Sequence, residues 1–463
     1  MAGIAGILKP GKKELIEKML ETMSHRGNYG KEIIETNEAT VGMIWSKQEN
    51  EQTQTLINQN IFRAGPGHGH QIKVTFENGN LQIERGRVGV VPLYLALNDD
   101  NEIIFASEVK ALLPVTEQIL EFLPGQIISN NEIKPYFELS KGEPFNTGPL
   151  QIAEELRTLL RKTVTRRINS DHFGAWLSGG LDSSSVAALA RPYVNKLHTF
   201  AGGLKDAPDL EYAREVAEFI GSEHHEVIVD RDMMLKILPD VIYYLESFDS
   251  LLVRSSIINL CVAYEASEYV SDVFSGEGGD ELFAGYEYLK NIPVQYLNIE
   301  LVDIIKRLHN TALQRVDRTA SAFGLTAHVV FVDPEVVDFA LRIPAEYKIS
   351  GGIEKWILRK AMEGLLPESV LSRPKAKFWE GAGVKSILSE YAEKKISDRD
   401  FRNERNLRNG WTINSKEELF YYRIFSEHFG ELSNLDWMGR SKASAPDRAQ
   451  HEKSTFLPLN CYI

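Results

Sequence analysis

The sequence predicts an α/β protein of two domains: a β-rich α+β domain of antiparallel sheets, then a larger domain built on a parallel sheet. Three observations carry this. The first 140 or so residues hold short apolar runs parted by Asn, Gly and Asp turns. From the run HFGAWL (172–177) onward, strand-like and helical stretches alternate, the pattern of crossover units. The length, 463 residues, exceeds what one hydrophobic core serves. Boundaries are expected at 1–145 and 146–438, with a weakly ordered polar tail at 439–463.

In the first domain the runs are GIAGIL (3–8), ATVGMIW (39–45), HQIKVTF (70–76), LQIERGRVGV (81–90), LYLAL (93–97) and EIIFAS (102–107). One amphipathic helix is predicted around Lys12–Met23. His68 and His70 read as a polar loop rather than a metal site. The breaker-rich segment Ser140–Pro149 reads as a linker, and a helix follows from Leu150 to about Ile168.

The second domain is organised around Leu177-Ser178-Gly179-Gly180-Leu181-Asp182-Ser183-Ser184, between an apolar run and a small-residue helix. A strand, a glycine turn and a capped helix start bring backbone amides close to a ligand. Ser178, Ser183 and Ser184 add hydroxyls, and Asp182 adds a charge suited to holding Mg²⁺ against phosphates. This is a pyrophosphate cradle, and no Walker A pattern occurs in the chain. Strands are then predicted at KLHTFAGG (196–203), HHEVIV (224–229) and SDVFS (271–275). Helices are predicted at EYAREVAEFIG (211–221), MLKILPDVIYYLE (234–246) and SSIINLCVAYEASEY (255–269). Residues 281–430 read as mainly helical. Ligands of such sheets lie beyond the carboxyl ends of the strands.

Composition narrows the setting. With 52 basic and 65 acidic residues the net charge is −13, which argues against a nucleic-acid partner. The two cysteines, Cys261 and Cys461, form no ligand cluster, in keeping with a reducing compartment. No apolar run reaches membrane-span length and the start is too briefly apolar for a signal peptide, so a soluble, cytoplasmic enzyme without a membrane partner is expected.

A second loop, Ser275-Gly276-Glu277-Gly278-Gly279-Asp280-Glu281, again joins a strand to a helix. Three carboxylates in five residues need a cation between them, Mg²⁺ or a substrate ammonium. SGGLDSS by itself resembles the loop of the N-type ATP pyrophosphatases, which include asparagine, GMP and NAD synthetases and tRNA-thiolating enzymes. With SGEGGDELFAGY (275–286), RVDRTASAFGL (315–325) and EKWILRKAMEGLLPESVLSRPKAKFWEGAG (354–383), the order of blocks resembles the synthetase domain of asparagine synthetases.

The resemblance implies an adenine-nucleotide α-hydrolase-like (ATP pyrophosphatase) domain with a helical extension, behind a degenerate Ntn-hydrolase-like, class II glutamine amidotransferase-like domain. It implies ATP and Mg²⁺. Leu177, Ser178, Gly179, Gly180, Ser183 and Ser184 would bind nucleotide and pyrophosphate. Gly202 and Leu204 would line the adenosine pocket, with Ser275 and Gly276 near the nucleotide. Asp182 and Asp280 would hold Mg²⁺, Glu277 would sit by the substrate and incoming amine, and Arg254 would bind substrate or pyrophosphate. Lys375, flanked by Arg373 and Lys377, matches the catalytic lysine. Glu277, with Thr326 and His328 in GLTAHVVFVD, departs from the lactam-forming relatives and favours amide formation on a small amine.

The start, Met1-Ala2-Gly3-Ile4-Ala5-Gly6, has alanine where the family's M-C-G-I-A-G supplies a nucleophilic cysteine. Ser24-His25-Arg26-Gly27 and Glu108-Val109-Lys110 match the family, but its glutamine-holding segments are not recognisable, and Asn78-Gly79-Asn80 is too little to count. The reading is an AMP-forming ligase that adenylates a carboxylate, aspartate first, and amidates it with ammonia without glutaminase activity. Another acyl substrate or amine, and a non-catalytic ATP-binding partner subunit, are the alternatives. A homodimer and a separate glutaminase or other ammonia source are left open as partners.

Overall fold

The computed structural model describes residues 1–77, 80–130, 132–375, 382 and 387–441. Asn78, Gly79, Lys377 and the tail beyond Ser441 lie outside them.

Among the described residues the first domain holds eleven strands: β1 (Gly3–Ile7), β2 (Gly30–Glu35), β3 (Thr40–Trp45), β4 (Ile61–Gly67), β5 (His70–Glu77), β6 (Asn80–Arg85), β7 (Tyr94–Leu97), β8 (Ile103–Ala106), β9 (Ile119–Glu121), β10 (Gln126–Ser129) and β11 (Glu132–Pro135). They form two antiparallel sheets, ordered β2-β3-β1-β8-β7-β9 and β11-β10-β6-β5-β4. The sheets share one apolar layer, with Ile4, Val41 and Met43 from one and Phe62, Ile72, Val74 and Ile83 from the other. Helix α1 (Lys13–Thr22) covers the other face of the first sheet with Ile16, Met19 and Leu20. A second helix, α2 (Asn50–Ile57), and five strands were not marked by the apolar runs; the LQIERGRVGV run stops pairing at Arg85, whose side chain turns inward to the carbonyls of Val91 and Gly89.

No regular element lies between Pro135 and Pro149. The second domain opens with α3 (Pro149–Thr165), started by a proline at its first position, where the missing N–H costs nothing. Its sheet is parallel, in the order β14-β13-β12-β15-β16, with β12 (His172–Trp176), β13 (Lys196–Gly203), β14 (Glu223–Ile228), β15 (Asp272–Ser275) and β16 (Thr326–Val329). The crossover helices are α4 (Leu181–Ala190), α5 (Pro208–Ile220), α6 (Arg231–Leu245) and α7 (Ser250–Ser267). Order reverses beside β12, so the loops after β12 and β15 meet at the switch point. The short α8 (Gly279–Phe283) follows β15. Beyond it lie α9 (Val294–Lys306), α10 (Ala312–Ser321) and α11 (Pro334–Ala340). β16 falls inside the stretch read as helical; at four residues it is too short for period-2 alternation to register.

The two domains meet across buried charges. Arg26 pairs with Glu108 and Asp317; Arg318 pairs with Glu108 (2.7 Å) and Glu246 (2.7 Å), and Lys110 joins Glu108 (2.5 Å) to Glu246 (3.3 Å). The family-like blocks SHRG and EVK are therefore the docking face of the first domain. His70, expected on a polar loop, is fully buried at this boundary, its Nε2 3.0 Å from the Val332 carbonyl oxygen. Among the described residues no helix is long and apolar enough to cross a membrane.

Candidate active site

The glycine turn after β12 exists because two stretches of backbone cross there. Gly179 adopts φ +66°, and a β-carbon on it would sit 2.6 Å from the Ala213 nitrogen of α5. A β-carbon on Gly276 would sit 2.6 Å from the Ser183 nitrogen, so the two loops touch backbone to backbone. The hydroxyls brace the turn: Ser183 Oγ accepts from the Ser178 amide (3.1 Å) and meets Ser178 Oγ at 3.1 Å. The start of α4 has no side-chain cap, which leaves its first-turn amides facing the gap.

That gap is a cavity of about 810 Å³, within the range of ligand clefts. It brings together Leu177, Ser178, Gly180, Asp182, Ser183, Gly202, Ser275, Gly276, Glu277, Asp280 and Lys375. Four residues singled out in the sequence do not line it. Gly179 forms the turn behind it, and Ser184 is fully buried with no partner for its hydroxyl. Leu204 gives its amide to the Ala382 carbonyl at 3.0 Å. Arg254 is held by Glu417 of the Lys416–Phe429 helix, with Nε 2.6 Å from Oε1. The cavity-facing stripe of α7 is Leu251, Leu252, Ser255, Asn259 and Val262, and Arg254 lies about 100° around the helix from Ser255. The pairing places Arg254 behind the wall rather than on it.

The acids sit on cations. Lys355 Nζ lies 2.5 Å from Asp182 Oδ2 and 2.6 Å from Asp280 Oδ1, and Lys375 Nζ lies 2.7 Å from Asp280 Oδ2. Burial pushes the Asp280 carboxyl up, but the two ammonium groups outweigh it and hold it below the usual carboxylate range. Asp182 touches only one of them, and burial together with Asp280 raises it. Its Oδ1 is buried without a partner. Lys355 itself has φ +54°, uncommon for a side-chain-bearing residue, and the next residue opens a helix. Its neighbour Glu354 accepts the backbone N–H of Lys375 at 3.1 Å and an Arg359 N–H at 2.8 Å, while Arg359 also donates to the carbonyls of Leu371 and Arg373. One dipeptide thus sets both lysines.

Around this centre Glu277 is ion-paired with Arg315 of α10, and Arg373 pairs with Asp209 at 2.6 Å while lying over the Tyr212 ring. Glu281 is buried and bonded by the Tyr286 hydroxyl; burial, then Asp280 and Glu277, push its carboxyl up to about 7. Lys355 and Arg315 were missed by the sequence reading, although each stands in a block quoted there; Glu281 was counted only as one of the three carboxylates of its loop. At the other side Arg440 and Ser441 reach the cavity, and Ser441 donates to Asp249, the cap of α7, at 2.9 Å. The first residues of the expected tail are thus docked; 442–463 lie outside the described residues.

The asparagine synthase family profile matches residues 155–299 and 293–453. "Asparagine synthetase [glutamine-hydrolyzing] 2" of Lotus japonicus is 35% identical over 382 residues, covering 76% of this chain and 64% of the relative. "Asparagine synthetase B [glutamine-hydrolyzing]" of Escherichia coli is 34% identical over 372 residues, 75% of this chain and 67% of the relative. The chain spans slightly under two thirds of the length of the first of these. Among solved structures, the NMN synthetase of Francisella tularensis aligns over 63% of this chain and 99% of its own, at 14% identity and a TM-score of 0.30. On the family match and the relatives' identity, this chain belongs to the asparagine synthase family.

Proposed function

We propose that the chain is an ATP-dependent, AMP-forming amide ligase that activates a carboxylate, aspartate first, and amidates it with free ammonia. The observation that carries this is the convergence of Asp182, Asp280, Lys355 and Lys375 where the two glycine loops touch. The α4 amides and the Ser178 and Ser183 hydroxyls would take the pyrophosphate portion of ATP, with Gly202 and the α7 stripe around the base. The unpartnered Asp182 Oδ1 fits a divalent cation, and Asp182 and Asp280 would hold Mg²⁺. When bound, that ion neutralises phosphate charge.

The substrate carboxylate oxygen attacks the α-phosphorus, the bond to the bridging oxygen breaks, and pyrophosphate leaves. Lys375 would stabilise the charge gathering on the α-phosphate, and Lys355 would share that of the leaving pyrophosphate. Ammonia then attacks the acyl carbon, AMP leaves, and Glu277, steadied by Arg315, would receive a proton from the incoming nitrogen. Positioning of the two reactants supplies much of the rate.

Ammonia is favoured as the nitrogen source by Ala2. It is fully buried and donates its amide to Glu49 at 3.0 Å, and its methyl group offers no nucleophile. A separate glutaminase would serve equally as the supplier. The test is ATP–pyrophosphate exchange with aspartate and a panel of carboxylates, then AMP formation with ammonia against glutamine. Aspartate-dependent exchange and ammonia-only turnover are expected. No exchange with any carboxylate would overturn the ligase reading, and glutamine-driven turnover would overturn the ammonia reading.

A further inference from the structure

At the opposite end of the parallel sheet, β13 and β14 place three ligand-type side chains together. His198 pairs with Glu223 across the ladder, and Phe200 with His225. Residues of one parity share a face, so His198, Phe200 and Gly202 look toward α7, and a β-carbon on Gly202 would meet Val262 and Ile258 of that helix. On this face His198 Nδ1 lies 3.0 Å from His225 Nε2 and 3.7 Å from Glu223 Oε2. Ligand atoms of all three residues lie within 4.8 Å of one another. The Tyr269 ring, just past α7, closes over His225 at 4.1 Å between centroids.

We propose that His198, His225 and Glu223 form a binding site for a borderline divalent metal ion, with zinc the best match. Two imidazoles and one carboxylate are a zinc ligand set that leaves one position for water. Tetrahedral zinc with bonds of about 2.1 Å holds its ligand atoms about 3.4 Å apart; the observed 3.0 and 3.7 Å bracket that separation. The cation replaces the proton now shared between the two ring nitrogens, and each ring takes the tautomer that leaves the facing nitrogen bare. Lys196 Nζ grips the other carboxylate oxygen of Glu223 at 2.6 Å and so aims Oε2 inward, as outer partners of metal ligands do. Both imidazoles are held toward the neutral form by burial, which is the form that binds metal. Glu223 is exposed, which gives the ion a route in.

The site is separate from the carboxylate pair at the other end of the strands. His198 and Gly202 are four residues apart on β13, or about 13 Å. The Phe200 ring stands between, lining the cavity on one side and lying 4.9 Å from the His225 ring on the other. A metal here ties the edge strand β14 to β13 and fixes the wall of the base pocket.

The experiment is a zinc titration of the chelator-treated full chain, by calorimetry, in saturating Mg²⁺ to occupy the carboxylate pair. Imidazole selects zinc over magnesium, so Mg²⁺ does not compete. One equivalent should bind per chain. His225→Ala should lower affinity more than about 100-fold, beyond the 10–100-fold typical of losing an outer partner. Glu223→Gln, nearly isosteric and on the surface, should lower it while leaving the metal-free melting curve unchanged. The assignment is overturned if the unsubstituted chain shows no saturable zinc binding, or if both variants bind zinc as it does. ATP–pyrophosphate exchange is scored separately, so failure of one reading leaves the other standing.

Discussion

The Lys355 ammonium lies 2.5 Å from Asp182 Oδ2, between that carboxylate and Asp280. A lysine thus stands where the chemistry proposed for this site calls for a metal ion, and the two acids are neutralised before any ligand arrives.

Removing that lysine should expose the repulsion it masks. Lys355→Met leaves two buried carboxylates facing each other, and stripping one partner from a buried pair typically costs 3–5 kcal/mol. Mg²⁺ should recover part of the loss, so the rise in melting temperature on adding Mg²⁺ should be larger for the variant than for the unsubstituted chain. Equal shifts would show that Asp182 and Asp280 do not take the metal.

Lys375 is a third exposed and its ammonium meets one acid, so its loss should spare the fold. Lys375→Ala is expected to cut pyrophosphate exchange by about 10²–10³, as removal of one transition-state donor does elsewhere. The melting temperature should hardly move. A variant that keeps its exchange rate would remove Lys375 from the mechanism.

The contact between the loops tolerates no added carbon. In Gly276→Ala the new methyl would meet the Ser183 nitrogen at 2.6 Å and its α-carbon at 2.8 Å, both backbone atoms. The loops must part, and ATP affinity should fall at least tenfold while the far end of the sheet, read by zinc binding, is untouched.

Glu281 gives a pH signature. Its ordinary value is 4.5 and burial pushes it up to about 7. Between those values the folded chain holds a proton that the unfolded chain has released, so stability falls as pH rises from about 4.5 to 7. The full effect is about 3 kcal/mol. Glu281→Gln, measured by denaturant unfolding across that range, should lack this slope; an unchanged slope would place the titration elsewhere.

Much of the centre was legible because its residues are local. A strand, two glycines and a run of hydroxyls announce the cradle within Leu177–Ser184, and the acidic loop at 275–281 repeats the device. What stayed hidden depends on long-range contact. Lys355 meets Asp182 across 173 positions, and nothing in EKWILR marks it as more than a helical surface lysine. Arg254 has the charge of a ligand-binding cation in the sequence, but Glu417, 163 positions away, occupies it. In the first domain, Ile119–Glu121 and Glu132–Pro135 are too short or too polar to alternate visibly, and they exist because their neighbours offer an edge to pair with.

The buried charges between the domains bear on how the chain can be divided. Arg318 and Asp317 take their partners Glu108 and Arg26 from the first domain, and none of the four side chains reaches solvent. Cutting the polypeptide at the linker would keep the Arg26–Glu108 and Arg318–Glu246 pairs within their own halves, but it would strip Asp317 of Arg26 and open this buried face to water. The two halves should therefore melt as one cooperative unit, in a single calorimetric transition, and a gene encoding only the second half would need a new residue at Asp317 before its product could stand alone.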